Sequence, residues 1–259
     1  MVRELLSDKR LNRVDVIGVP ITSTNMKETL SFLEDNLHDI KGEYICVSNA
    51  HTCVMAHEDP IYWACQAESI MSVPDGKPLS IVGSKKVPSM GRVTGPDLMR
   101  EVFCASRKNG WTHYFYGDRK ETLESLRSEL EAAYPGIEIA GMEPSVFRPL
   151  LPEEKGDLAR RISGSGADFC WVALGAPRQE VLMHELKGTT DSLMVGVGGA
   201  FNVLAGKVPE APRWMQNLSL EWLYRLSQEP KRLFKRYAVT NTKFLFYQFT
   251  KAKRKEGSE

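Results

Sequence analysis

The chain has 259 residues, 34 Lys and Arg against 33 Asp and Glu, and 42% hydrophobic residues, enough to bury a substantial core as one large α/β domain or a domain with an appendage. Five cysteines, scattered and without a C-x-x-C pair, argue against a disulfide framework and fit a reducing compartment. The five histidines show no ligand-like spacing with them, which argues against a zinc site.

The first sixteen residues, MVRELLSDKRLNRVDV, are charged throughout, so no signal peptide is expected there. Val14–Val19 reads as a strand and Asn25–Leu37 as a helix, with Thr24 as its N-cap. A second strand, Tyr44–Ser48, runs into Asn49-Ala50-His51 and a helix from about Thr52 to Gln66. Ser69–Val73 is a short strand ending in Pro74-Asp75-Gly76. Helices over Pro96–Lys108, Thr122–Tyr134, Glu153–Ser163 and Arg178–Leu186 then alternate with strands over Thr112–Tyr116, Ile137–Gly141, Phe169–Leu174 and Ser192–Val197. Apolar strands separated by amphipathic helices predict an α/β, Rossmann-like fold, a mostly parallel sheet with helices on both faces.

After Gly206 the pattern becomes helical, punctuated by Pro209, Pro212 and Pro230 and ending in a helix over Asn241–Lys255. The expected division is therefore a core over 1–207 and a C-terminal helical appendage over 208–259. From Arg213 onward there are 11 Lys and Arg against 4 Asp and Glu, and the rest of the chain is net acidic. A basic tail interleaved with Trp, Tyr and Phe suits an anionic membrane surface or a phosphorylated substrate. A solvated or core-packing helix is the plainer reading. No run of about 18 uncharged apolar residues exists to span a bilayer as a helix. No stacking sheet or RNA-binding motif accompanies the basic stretch, so no nucleic-acid partner is expected.

In an open parallel sheet, ligands bind at the carboxyl ends of the strands. Asp75 follows an apolar strand, where partial loss of solvent raises a carboxyl pKa and suits it to accept a proton from a hydroxyl. Taken alone, Pro-Asp-Gly is more often plain turn chemistry. Gly196-Val197-Gly198-Gly199-Ala200-Phe201 resembles a phosphate-cradling turn, although it matches neither G-x-G-x-x-G nor a Walker loop and also reads as a tight turn. In Pro177-Arg178-Gln179-Glu180, Gln179 suits a hydrogen bond to a sugar hydroxyl, while Glu180 also reads as a first-turn acid. Arg92-Val93-Thr94-Gly95-Pro96-Asp97 reads as a loop and helix start. Asn49 and His51 read as site residues or as helix caps. Arg225, Arg232 and Arg236 recur at helical spacing, and convergent guanidinium groups suit a diphosphate.

Taken in order, Asn49-Ala-His51, Val73-Pro-Asp75-Gly76, Arg92-Val-Thr-Gly95-Pro-Asp97, Leu174-Gly-Ala-Pro-Arg-Gln179-Glu180, Gly196-Val-Gly-Gly-Ala-Phe201, Ala211-Pro-Arg213-Trp214 and Glu221-Trp222-Leu-Tyr-Arg225 through Tyr237 resemble the WecG/TagA/CpsF family of glycosyltransferases. The resemblance runs from about Val14 to Tyr237. It implies inverting transfer of an N-acetylmannosamine-type sugar or a hexose from a UDP-sugar to a polyprenyl-diphosphate-linked acceptor in cell-surface polysaccharide synthesis. It places the protein in the cytoplasm, peripheral on the inner face of the cell membrane, with self-association among its partners. No metal or other cofactor is implied. By the same resemblance Asp75 is the base, and Asn49, His51, Thr94, Asp97, Gln179, Glu180, Gly198, Gly199 and Phe201 contact substrates. Arg225, Arg232 and Arg236 close over the diphosphate. The chain departs from the family pattern at Val47, where some members have Thr, and at Asn202, where many have Asp. Two rival readings stand beside this one: another Rossmann-like nucleotide enzyme such as an oxidoreductase, and a non-catalytic membrane adaptor on a transferase scaffold.

Overall fold

The computed structural model describes residues 11–212, 214–215, 220–228 and 230–256, with backbone alone at 222, 232, 233, 236 and 251–256. The chain opens with an antiparallel hairpin, β1 (Arg13–Val16) and β2 (Val19–Thr22), where a single strand is expected over 14–19. Ile17 (φ 47°) and Gly18 (φ 89°) form the turn, and the left-handed conformation at both positions is the hairpin geometry that matches strand twist. A buried isoleucine in the first turn position hides this turn from the hydrophobic pattern.

Helix α1 (Met26–Asn36) is capped by Asn25, whose side chain accepts from the Glu28 N–H, and not by Thr24. Then come β3 (Tyr44–Ser48), α2 (Ala50–Glu58), α3 (Pro60–Ala67), β4 (Met71–Pro74), α4 (Lys77–Ser84) and α5 (Gly95–Asn109). The one helix expected over 52–66 is two, because Asp59 caps α3 through the Ile61 and Tyr62 N–H groups and Pro60 takes its first turn. The core continues through β5 (Thr112–Gly117), α6 (Lys120–Ala133), β6 (Glu138–Glu143), α7 (Pro152–Gly164), β7 (Phe169–Ala173), α8 (Arg178–Leu186), β8 (Leu193–Gly196) and α9 (Ala200–Leu204). Helices α4 and α9 are short and glycine-flanked, and the sequence pattern does not reveal them.

Strands β3 to β8 form one six-stranded parallel sheet in the order β4-β3-β8-β7-β5-β6. Alternate residues face opposite sides, as a pleated strand requires. Ile45, Phe115, Phe169, Trp171 and Val195 join the larger apolar cluster with helix residues such as Leu98, Phe103 and Leu126. Tyr44, Cys46, Tyr114, Cys170, Val172 and Met194 meet Leu158, Ile162, Leu182 and Met183 on the other side. Both faces are covered, which accounts for the near-continuous apolar strands. Val47, one of the departures from the family pattern, is buried in the first cluster.

The last two strands insert in the middle of the sheet, so β8 pairs with β3 on one side and β7 on the other. The four strand ends singled out from sequence therefore belong to four adjacent strands, β4, β3, β8 and β7. At about 4.8 Å per strand they span on the order of 15 Å.

Among the described residues, α10 (Glu221–Gln228) and α11 (Pro230–Glu256) follow, and no strand follows β8. Helix α11 lies on α2. Phe244 is buried among Val14, Val16, Val54 and Met90, so the C-terminal arm shares an apolar cluster with the hairpin. Lys243 and Tyr247 both reach Glu58 Oε1, at 2.7 and 2.6 Å, and Tyr247 stacks on His57 with ring centroids 4.0 Å apart.

Candidate active site

Asp75 sits at the end of β4, held there by its backbone N–H donating to the Ser48 carbonyl (2.6 Å). It is half-buried. Loss of solvent pushes its carboxyl up to about 6, against the opposing pull of the Arg225 and Arg92 guanidinium groups, while Glu221 and Asp97 raise it further. Two of these neighbours come from α10. Glu221 pairs with Arg92 (2.9 Å), and Arg225 sits one helical turn further along. The arm thus reaches the carboxylate that strand-end logic selects.

The segment beside Asp75 is fixed by its own short bonds. The Val93 N–H donates to the Pro74 carbonyl (2.8 Å), and the Thr94 side chain caps α5. Thr94 Oγ1 donates to Asp97 Oδ2 (2.6 Å) and accepts from the Asp97 N–H (3.2 Å). Asp97 also meets Arg100, which in turn pairs with Glu210. Asn49 closes a capping box on α2, its Oδ1 accepting from the His51 and Thr52 N–H groups. The His51 ring turns to the arm, with Nδ1 3.2 Å from Thr240 Oγ1 on α11. Of the alternatives open for Asn49, the capping one is therefore present in the geometry, and His51 joins core to arm.

The glycine-rich turn is a second centre. A Cβ on Gly95 would come within 3.1 Å of the Val197 carbonyl, so a glycine there lets the start of α5 pack against the turn. A Cβ on Gly196 would fall 2.6 Å from Met183 and 3.0 Å from Gln179 Nε2. Gln179 is buried beneath this turn. Its Oε1 accepts from both the Gly175 N–H (3.1 Å) and the Gly198 N–H (3.0 Å), and its Nε2 donates to Glu180 Oε1 (2.9 Å). The amide expected to meet a sugar hydroxyl is taken up in clamping the ends of β7 and β8 together. Glu180 is fully buried, with its carboxyl pushed up to about 7 by burial. Phe201 is fully buried against Phe115, so its side chain packs in the core.

Above the clamp lies a pocket of about 220 Å³. Gly175, Arg178, Gly198, Gly199, Asp118, Asn202 and Phe147 are among the residues that line it. Asn202 Nδ2 donates to Asp118 Oδ2, so the asparagine that departs from the family pattern pairs with a carboxylate. Phe147 is about half exposed at the rim, with the Arg119 guanidinium 5.9 Å from its ring centroid. Asp118, Phe147 and Arg178 are not among the residues expected from sequence. Asp118 had a readable signal, since it directly follows the apolar strand Thr112–Gly117. Phe147 had none, lying in an irregular stretch between β6 and α7.

Arg232 and Arg236 belong to the backbone of α11, but their side chains lie outside the described residues, as do Arg213 and Glu229. Among the described residues, no group of three or more His, Cys, Asp or Glu side chains is placed to hold a metal ion. No described helix is long and apolar enough to cross a membrane.

A family model described as "Glycosyl transferase WecG/TagA/CpsF family" matches residues 14–258. The chain is also similar to the N-acetylglucosaminyldiphosphoundecaprenol N-acetyl-beta-D-mannosaminyltransferase of Bacillus subtilis (strain 168). The two are 29% identical over 233 residues, covering 86% of this chain and 88% of that relative.

Proposed function

This chain belongs to the WecG/TagA/CpsF family of glycosyl transferases, and we propose that it moves a sugar from a UDP-sugar onto a polyprenyl-diphosphate-linked glycan acceptor at the membrane surface. The observation that carries this reading is that Asp75 at one strand end feels the charges of Arg92 and of Arg225 on the arm helix, with a glycine-lined pocket at the ends of β7 and β8 of the same sheet.

The nucleotide occupies the pocket. The Gly199 end of the glycine turn and the Arg178 guanidinium face its phosphates, and the Phe147 ring and the Asp118–Asn202 pair face its nucleoside end. The sugar then lies across β8 and β3 toward Asp75. The acceptor hydroxyl attacks the anomeric carbon from the face opposite the diphosphate. A new C–O bond forms, the bond from that carbon to the β-phosphate oxygen breaks, and the acceptor proton passes to Asp75. Inversion at the anomeric carbon follows from this single displacement. A carboxyl near 6 is largely ionised at neutral pH yet basic enough to take the proton.

The leaving diphosphate gains negative charge as the bond breaks. Arg225 is near enough to Asp75 to neutralise it, and Arg232 and Arg236 are the family's further candidates on α11. The arm beyond the core at about 207 acts as the closing element. Its exposed Phe234, Leu245, Phe246 and Phe249, set among lysines, suit docking on an anionic membrane. No metal is needed for this scheme, because guanidinium groups take the place of a cation at the diphosphate.

The test is a panel of UDP-sugars with a short-chain polyprenyl-diphosphate-linked acceptor, following UDP release. Acceptor-dependent release with one donor is expected. Absence of release with every donor, from protein that binds vesicles of anionic lipid, would remove the reading.

A further inference from the structure

Behind the clamp runs a chain of buried polar groups that no step of the transfer uses. Glu180 shows no accessible surface, and its Oε1 accepts from Gln179 Nε2. The Tyr62 hydroxyl interacts with the same carboxyl. Tyr62 accepts in turn from Gln66 Nε2 (3.1 Å), and Gln66 Oε1 accepts from the hydroxyls of Ser48 (2.5 Å) and Ser72 (2.9 Å). Ser48 is the last residue of β3, directly before Asn49, and its carbonyl holds the Asp75 N–H. Tyr62, Gln66, Ser48 and Ser72 are all buried. A path of buried polar groups, hydrogen-bonded on either side of the point where Tyr62 and Glu180 interact, therefore runs from the Gly175 and Gly198 N–H groups to the ends of β3 and β4.

The weak point of this path is its only carboxyl. Glu180 Oε2 is buried with no hydrogen-bond partner, and no cation pairs with Glu180 among the described residues. An ionised carboxylate in such a seat would carry an uncompensated charge, a larger penalty than an unpaired neutral oxygen. The other titratable groups that face it are Cys46 on β3 and Tyr62 and Cys65 on α3, and burial raises all three well above neutrality. Glu180 is the member of this set that changes charge near neutral pH.

We propose that Glu180, in its buried seat, is a positioning residue that links the Gln179 clamp of the nucleotide pocket to the buried groups behind the strand ends carrying Asn49 and Asp75. The inference rests on the transferase reading for its kinetic consequence and on the hydrogen-bond path alone for its structural one. Ionisation of Glu180 puts a charge with no paired cation into a fully buried seat, a desolvation cost that destabilises the seat and slows transfer as pH rises through about 7.

The full-length protein tests this with Glu180→Ala and Glu180→Gln. Amide hydrogen exchange read by NMR should speed at Gly175, Gly198 and Asp75 in Glu180→Ala, by tenfold or more. Glu180→Gln, a neutral isostere, should recover most of that protection. For kcat/KM with the UDP-sugar, the native protein should show an alkaline decline with a midpoint near 7, and Glu180→Gln should lack it while recovering most of the activity lost in Glu180→Ala. Unchanged exchange at both glycines in Glu180→Ala overturns the proposal, as does an alkaline decline that persists in Glu180→Gln. Should Glu180→Ala fail to fold, the melting temperature of Glu180→Gln against the native protein decides. The folded-state carboxyl lies above its ordinary 4.5, so the native protein should lose stability relative to Glu180→Gln as pH rises from 4.5 through about 7, and parallel curves count against the proposal. Exchange and melting that behave as expected, in a protein that turns over no UDP-sugar, support the positioning role and remove the transferase reading instead.

Discussion

At the strand ends nearly every polar group is bracketed: Gln179 by two glycine amides and Glu180, Asn49 by its helix start, Thr94 by Asp97. Along the C-terminal arm the attachments are few and mostly at the surface. Phe244 and Thr240 are buried, but the bonds to Glu58 come from groups with substantial exposure, and Phe234, Phe246 and Phe249 stand in solvent. The difference teaches how the labour is divided. Under the proposed transferase reading, the sheet supplies fixed geometry for binding, and the arm is expected to bring charge to Asp75 on a support that releases at modest cost, as a closing element must.

That comparison can be broken at several points. The largest effect is expected on the fixed side. Asp75→Asn should lower acceptor-dependent UDP release by roughly a thousandfold, with kcat falling more than KM changes. In the native protein, release should rise with pH through about 6, because the base must lose its proton, and Asp75→Asn should lack that limb. On the arm, Arg225→Ala should cost roughly a hundredfold in kcat, the scale of removing one group that meets developing charge. Phe244→Ala removes the arm's buried anchor and should lower kcat/KM by about tenfold, with far-UV circular dichroism of the core retained. A loss of the whole fold would show that the arm is structural and not a closing element. Glu58→Gln should act in the same direction by only a few-fold, and rising salt should shrink the difference, because an exposed pair contributes less than about 1 kcal/mol.

The smallest expected effect concerns stability and runs opposite to activity. Burial holds the Asp75 carboxyl above its ordinary 3.8, so the stability it permits is complete at low pH and declines as pH rises through about 6. Asp75→Asn should then be more stable than the native protein at pH 8, by on the order of 1 kcal/mol, and no more stable below pH 4. Denaturant titration at the two pH values checks it.

The same contrast governs what could be read from the sequence. Strands such as Tyr44–Ser48 and Phe169–Ala173 are legible because both faces of the sheet are buried and their apolar runs are unbroken. The motif-bearing strand ends are legible too, since polar and glycine residues interrupt those runs at the carboxyl side. Their order in space is not, because the insertion of β8 between β3 and β7 depends on long-range pairing. The Ile17-Gly18 turn is hidden by an apolar residue, and the break at Asp59-Pro60 lies inside an otherwise helical stretch. Residue type also misleads about role. Gln179, expected to contact substrate, has its side-chain amide bonded to Gly175, Gly198 and Glu180, and Phe201, also expected to contact substrate, has its ring in the core. For the arm, the sequence reveals basic and aromatic character but not which cation meets Asp75. Arg225 emerges only when α10 is folded over the strand end, with the Arg92–Glu221 pair beside it.

The most direct test of whether the strand ends and the arm form one catalytic unit is a double-mutant cycle on UDP release with Asp75→Asn and Arg225→Ala. Groups acting together on one transition state are expected to be strongly non-additive, so the double variant should be little slower than Asp75→Asn alone. Losses that simply multiply would show two independent contributions, and would contradict an arm that completes the Asp75 site.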